Sequence, residues 1–300
     1  MRQQFFRLAA LFAVTVWACQ YEKPVDSGYQ DEILQWRKDR LEELMAPDGW
    51  LALAGLYWLE EGPNTFGSDS SNAVVFPDKA PGFLGTFFRM GDSLSMTMAP
   101  GKPAVYEGDS VTVLTLSGKG EPPIAGYGSL SWFCIRRGDK VGIRLRDAEH
   151  PMLKDTLRLR YFDIDPAWRV KADLTVFDTT YTIEVKNVLG MTFQSPLKGA
   201  LQFEKDGRRF SLHALDGGED GEFFLIFSDL TTGEATYPAG RYLYANRDSL
   251  GEIWIDFNKA YNPPCAFTKY ATCLLPPAEN RLEVGVTAGE KYTLVEVEGH

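Results

Sequence analysis

The chain reads as mainly β: one N-terminal helix followed by two packed β-sandwich or barrel-like subdomains. Three observations predict this. Only residues 28–46 carry apolar side chains at sustained helical spacing. From Trp50 onward, short alternating or β-branched runs recur at a spacing of about ten residues. Between them sit Gly-rich turns, including Gly-Asp steps at 91–92, 108–109 and 138–139.

In the helix, Ile33, Trp36, Leu41 and Leu44 share one face, and the charged remainder reads as solvated. Ser27 with Gln30 fits a capping box, and Pro47 and Gly49 stop the helix. An N-terminal β subdomain is expected over 47–147. Its strands fall at 73–76, 85–89, 93–98 and 110–116, with a hairpin of 129–135 and 141–145 around the turn 136–140. Residues 148–169 lack clean periodicity, contain Pro151 and Pro166, and read as a connector. A C-terminal β subdomain over 170–298 follows. Its strands are expected at 169–177, 181–185, 200–204, 209–214, 223–227, 241–245, 252–257 and 282–287.

The first 18 residues read as a signal peptide. Arg2 and Arg7 precede a ten-residue apolar run, Leu8 to Trp17, which is too short to span a bilayer. Ala18-Cys19 then resembles a lipobox, so Cys19 is expected to be lipidated and residues 19–27 to be a tether. This places the protein in the bacterial cell envelope, touching a membrane only through its lipid. The net charge of −10 excludes nucleic acid as a partner and argues against electrostatic adhesion to anionic lipid.

Mechanistic motifs are sparse. No nucleophile elbow, Walker loop, dinucleotide fingerprint or His-Glu-x-x-His is present, so no cofactor or metal is expected. His150 and His213 read as loop and strand residues. Cys265 and Cys273 are separated by seven intervening residues in a Pro-rich loop and are expected to form a disulfide, since the compartment permits one. Cys134 reads as a buried thiol.

The polar residues concentrate in the last third. Strand alternation puts Trp254, Asp256 and Asn258 opposite the apolar set Ile253, Ile255 and Phe257. Strand pairing across 245–251 would let Arg241 meet Asp256 as a bidentate pair. With Tyr261, Asn262, Asn280 and Arg281 these residues form a candidate site for a small polar ligand. The plainer alternative is that the Asp and Asn side chains bond loop amides while Arg281 clamps the Pro-rich return. A hydrolase using Asp256, Tyr261 or Cys265, or an adaptor for another envelope protein, are the competing functional classes. Arg144, Arg146, Arg158 and Arg160 form two Arg-x-Arg pairs that could take a carboxylate or serve as surface ion pairs.

The run from Trp254 to Leu282, with Asp256-Phe-Asn, Asn262-Pro-Pro-Cys and Pro276-Pro-Ala-Glu-Asn-Arg, resembles the bacterial family catalogued as domain of unknown function 1684. Gly142 to Asp147 and Asp165 to Val170 resemble the same family. The resemblance implies an often exported or lipid-anchored protein and no established activity. More weakly, the run from Asn64 to Phe76, within residues 56–118, resembles the opening of a forkhead-associated β-sandwich. Ser68 follows Gly67 where that fold places its phosphate-reading Arg, so phosphopeptide binding is not expected.

Overall fold

The structure, a computed structural model, describes residues 26–118, 120–154, 157–178, 181–218 and 221–292. The expected signal peptide, Cys19 and nearly all of the tether lie outside them. Helix α1 spans Ser27–Met45. Its cap is Asp26 rather than Ser27: the Asp26 carboxylate, a strong acceptor, takes the Gly28 N–H at 3.1 Å. Ile33 and Leu44 are buried as expected. Arg40 is buried too, so the charged residues of α1 are not uniformly solvated.

Among the described residues, the N-terminal subdomain holds eleven strands. They are β1 Leu53–Trp58, β2 Gly62–Gly67, β3 Val74–Val75, β4 Gly85–Met90, β5 Ser93–Met98, β6 Ala104–Tyr106, β7 Asp109–Val111, β8 Val113–Thr115, β9 Ala125–Tyr127, β10 Leu130–Arg137 and β11 Lys140–Asp147. They form two sheets, ordered β1-β11-β10-β9-β6-β7 and β3-β2-β4-β5-β8. The expected single strand at 110–116 is split between β7 and β8, which serve different sheets. Alternation packs the inner faces together. Phe66, Phe87 and Met96 of one sheet meet Trp132, Ile143 and Leu145 of the other. Phe66 stacks on Phe87 at 4.0 Å between centroids and meets Trp132 edge-on at 5.6 Å.

The C-terminal subdomain contains β12 Arg169–Val176, β13 Thr182–Lys186, β14 Thr192–Lys205, β15 Arg208–Asp216, β16 Glu222–Phe227, β17 Arg241–Arg247 and β18 Ile253–Asp256. The order β12-β18-β17-β16-β15-β14 closes on itself through β12–β14, making a six-stranded antiparallel barrel. Strand β13 pairs with the first part of β14 outside the closed ring. β14 bends between these duties at a register shift by Gly199, whose φ is +153°. A Cβ there would lie 2.3 Å from the Thr175 carbonyl oxygen.

The barrel interior is filled by every second residue: Leu201 and Phe203, Leu212 and Ala214, Phe223 and Leu225, Leu243 and Ala245, Ile253 and Ile255. The segment 282–287, expected as a strand, is not one. It runs as an extended plug that buries Leu282 and Val286 in the barrel core. Two backbone bonds fasten it to the end of β16: Leu282 N–H to the Ser228 carbonyl at 2.8 Å, and Leu230 N–H to the Val284 carbonyl at 3.1 Å. Its apolar alternation resembles that of a strand because both bury alternate residues.

Candidate ligand-binding site between the helix and the barrel

Strand β16 bears aromatic residues on both faces, and β17 bears them on its outer face. Phe223, Leu225, Leu243 and Ala245 point into the barrel, so Phe224, Tyr242 and Tyr244 point out. Register sets Phe224 opposite Tyr244. Such an outward stripe needs a cover, and the loop after β18 supplies it. Tyr261 and Tyr242 exchange two backbone hydrogen bonds at 2.9 Å each, which lays the Tyr261 ring beside theirs. Its centroid is 5.9 Å from Tyr242 and 6.4 Å from Tyr244. Helix α1 adds Trp36, at 6.4 Å from Tyr261, and Trp50 follows the helix.

These rings wall a cavity of about 500 Å³. Arg40, Asp39 and Glu43 of α1 supply its polar groups, and Pro264 completes the wall. The Arg40 guanidinium lies 4.5 Å from the Tyr261 ring centroid, 3.5 Å from the Glu43 carboxylate, and donates to the Asn262 carbonyl at 3.2 Å. Its Nε has no partner. Burial pushes the Tyr261, Tyr242 and Tyr244 hydroxyls above the ordinary tyrosine range, so all are neutral donors near pH 7. The cavity offers flat rings for stacking, a guanidinium and two carboxylates.

Of the residues expected from the sequence to form the ligand site, only Tyr261 lines this cavity. Arg241 and Asp256 do not pair. The β17–β18 ladder holds only Asn246–Trp254 and Arg247–Ile253, so the start of β17 is out of reach of the end of β18. Asp256 instead accepts the Tyr29 hydroxyl at 2.9 and 3.0 Å and the Asn258 N–H at 3.1 Å. Asn258 grips both backbone groups of Asp165, at 3.0 and 2.8 Å. Together they fasten α1 and the connector to the barrel. Burial raises the Asp256 carboxyl above its ordinary value.

Arg241 is fully buried with Asp229 at 2.9 Å, a partner that sequence reasoning missed. Asn280 closes the gap where β15 and β16 splay apart. Its amide donates to the His213 and Ile226 carbonyls at 2.9 Å each, and its oxygen accepts the His213 N–H. Asn262 donates to the Glu290 carboxylate at 2.9 Å and the Lys291 carbonyl at 3.0 Å. Trp254 sits on the outer barrel face, donating to Asp248 at 3.2 Å, and Arg281 is exposed. The Asx side chains therefore pin irregular backbone.

Cys265 and Cys273 are adjacent, but they are free thiols rather than a disulfide. Each sulfur accepts the other residue's backbone N–H, at 3.1 and 3.3 Å, so the loop closes without a covalent bond. The contact between the two thiols lowers the Cys265 pKa and raises that of Cys273. Cys134 is a buried thiol in the sandwich, as expected.

The site's new residues come mainly from α1 and β16–β17. The available signal was the run Glu222-Phe-Phe-Leu-Ile-Phe227, apolar on both faces, which a strand with one solvated face would not carry.

Residues 156–291 match the family described as Protein of unknown function (DUF1684). The match takes in the barrel and the loops around it but not Gly142 to Asp147. Among solved structures, an uncharacterized protein of Haloarcula marismortui, determined by solution NMR, is 37% identical; the alignment covers 50% of this chain and 83% of that one, with a TM-score of 0.39. No curated protein matches. The chain belongs to this family of unknown function through residues 156–291.

Proposed function

We propose that this protein binds a small polar molecule with a flat ring or sugar face in the aromatic cavity between α1 and the barrel. One observation carries the reading. Phe224, Tyr242, Tyr244, Tyr261, Trp36 and Trp50 converge on a cavity of about 500 Å³ that also holds a buried arginine. Aromatic walls with a few placed polar groups suit stacking plus oriented hydrogen bonds. Because two tryptophans line the cavity, binding reports itself. Screening monosaccharides, disaccharides, nucleosides and aromatic amino acids is expected to find a ligand that saturably shifts tryptophan emission. Loss of the stacking surface in Tyr261→Ala should weaken that ligand about tenfold, the scale of one aromatic contact. A shift of equal midpoint in the wild type and in Tyr261→Ala would place binding elsewhere and reject the cavity.

The same reading places the protein in the bacterial envelope, held by a lipid on Cys19. Its support is the basic start, the apolar run and Ala18-Cys19. Cells fed labelled palmitate are expected to label the wild type and not Cys19→Ala. Equal label in both would remove the anchor from the proposal.

A further inference from the structure

On the hairpin of β10 and β11, Trp132, Cys134, Ile143 and Leu145 face the sandwich core. The alternate residues Arg144 and Arg146, with Arg137 beyond them, therefore point the other way, toward the turn after α1 and the loop around Thr272. Arg144 is only 5% exposed. Among the described residues its one hydrogen bond is long, 3.4 Å to the Thr272 hydroxyl, which also accepts Arg137 Nε at 2.9 Å. The Nε atoms of Arg144 and Arg146 are buried without a partner. Among the described residues, neither arginine has a carboxylate within ion-pair distance.

A buried guanidinium with unmade bonds and no counter-charge is costly. Burial and the neighbouring charges of Arg137 and Arg146 push the Arg144 pKa down to about 10. Both guanidiniums open onto a cleft of about 290 Å³. Its carboxylates leave Arg144 without an ion pair: Glu43 is engaged with Arg40 at 3.5 Å, and the exposed Asp48 acts on Arg146. The Arg144 guanidinium lies 5.4 Å from the ring centroid of Trp50, which also walls the aromatic cavity.

The geometry points to an oxyanion site in this cleft, where Arg144 and Arg146 together bind a carboxylate or phosphate group. Two guanidinium forks, one fixed by burial, match the planar or tetrahedral oxygens of such a group. The cleft shares Trp50 and Glu43 with the aromatic cavity but not Tyr261, so a change at Tyr261 separates the two sites.

Calorimetric titration of the full-length protein in detergent micelles tests this, with sodium phosphate and sodium succinate as probes at constant ionic strength and sodium chloride as control. Saturable binding of one or both probes is expected. Phosphate alone would assign a phosphorylated ligand, and succinate alone a carboxylate. Arg144→Gln should abolish binding. Arg146→Gln, at a less buried position, should weaken it at least tenfold and keeps the test valid if Arg144→Gln fails to fold. Tyr261→Ala should leave it unchanged. No heat beyond the chloride control would overturn the proposal, as would binding undiminished in Arg146→Gln. Binding that appears only in Cys265→Ser would also overturn it, by showing that the Cys265 thiolate is the resident counter-charge of Arg144.

Discussion

Arg241→Ala is expected to destabilise the protein by roughly 3–5 kcal/mol, the scale for breaking one partner out of a buried ion pair. Arg241 has no exposed surface, and the Asp229 side chain is 1% exposed. The guanidinium donates to Asp229 and to the Val286 and Ala288 carbonyls, so it ties the plug segment to the head of β17. Asp229 in turn accepts the Thr231 and Val286 N–H groups, at 2.8 and 3.2 Å. Removing the arginine strands that carboxylate and two carbonyls together. Lysine should rescue little, since one ammonium cannot reproduce the planar fork. Urea unfolding of Arg241→Ala, Asp229→Ala and the double variant should show strong coupling, the double costing well under the sum. Arg241→Ala with Asp256→Ala should instead be additive. A cost under about 1 kcal/mol for Arg241→Ala would show that the pair is dispensable.

The second large effect concerns pH. Glu290 has no exposed surface, and burial pushes its carboxyl from 4.5 up to about 7. Asn262 donates to one carboxylate oxygen at 2.9 Å, while the other has no partner among the described residues. The folded state therefore binds a proton that the unfolded state releases between pH 4.5 and 7. The sign follows: this stabilisation is fully present below about pH 4.5 and is lost as pH rises through about 7. At about 1.4 kcal/mol per pH unit, the loss amounts to roughly 3 kcal/mol. Glu290→Gln mimics the protonated form, so it should flatten stability across this window and exceed the wild type at pH 8. Urea unfolding of both proteins from pH 4.5 to 8 checks it. Parallel curves would mean that Glu290 does not titrate there.

Much of the fold was legible because alternation survives translation into structure. Leu130, Trp132 and Cys134 alternate inward in β10, and Ile253 and Ile255 do so in β18, as the pattern demands. The helix was legible from its apolar spacing. What misled was the polar chemistry. Asp, Asn and Arg side chains look alike in sequence whether they grip a ligand or a backbone amide. Asn258 holds connector backbone and Asn280 the unpaired backbone of β15 and β16, and only the three-dimensional course of residues 257–290 shows which groups they meet.

The sequence alone was sufficient for fold class, most C-terminal strands and the family, because these depend on periodicity and local motifs, but it missed β1, β2, β6 and β9 of the sandwich. Tertiary structure decided which residues converge. Trp36 and Arg40 lie some two hundred residues from Tyr261, and Arg144 more than a hundred from Thr272, yet each pair meets across an interface. A strand's period names its outward residues but not what covers them. That cover turned Phe224, Tyr242 and Tyr244 from an exposed stripe into a cavity wall, and left Arg144 buried without a counter-charge.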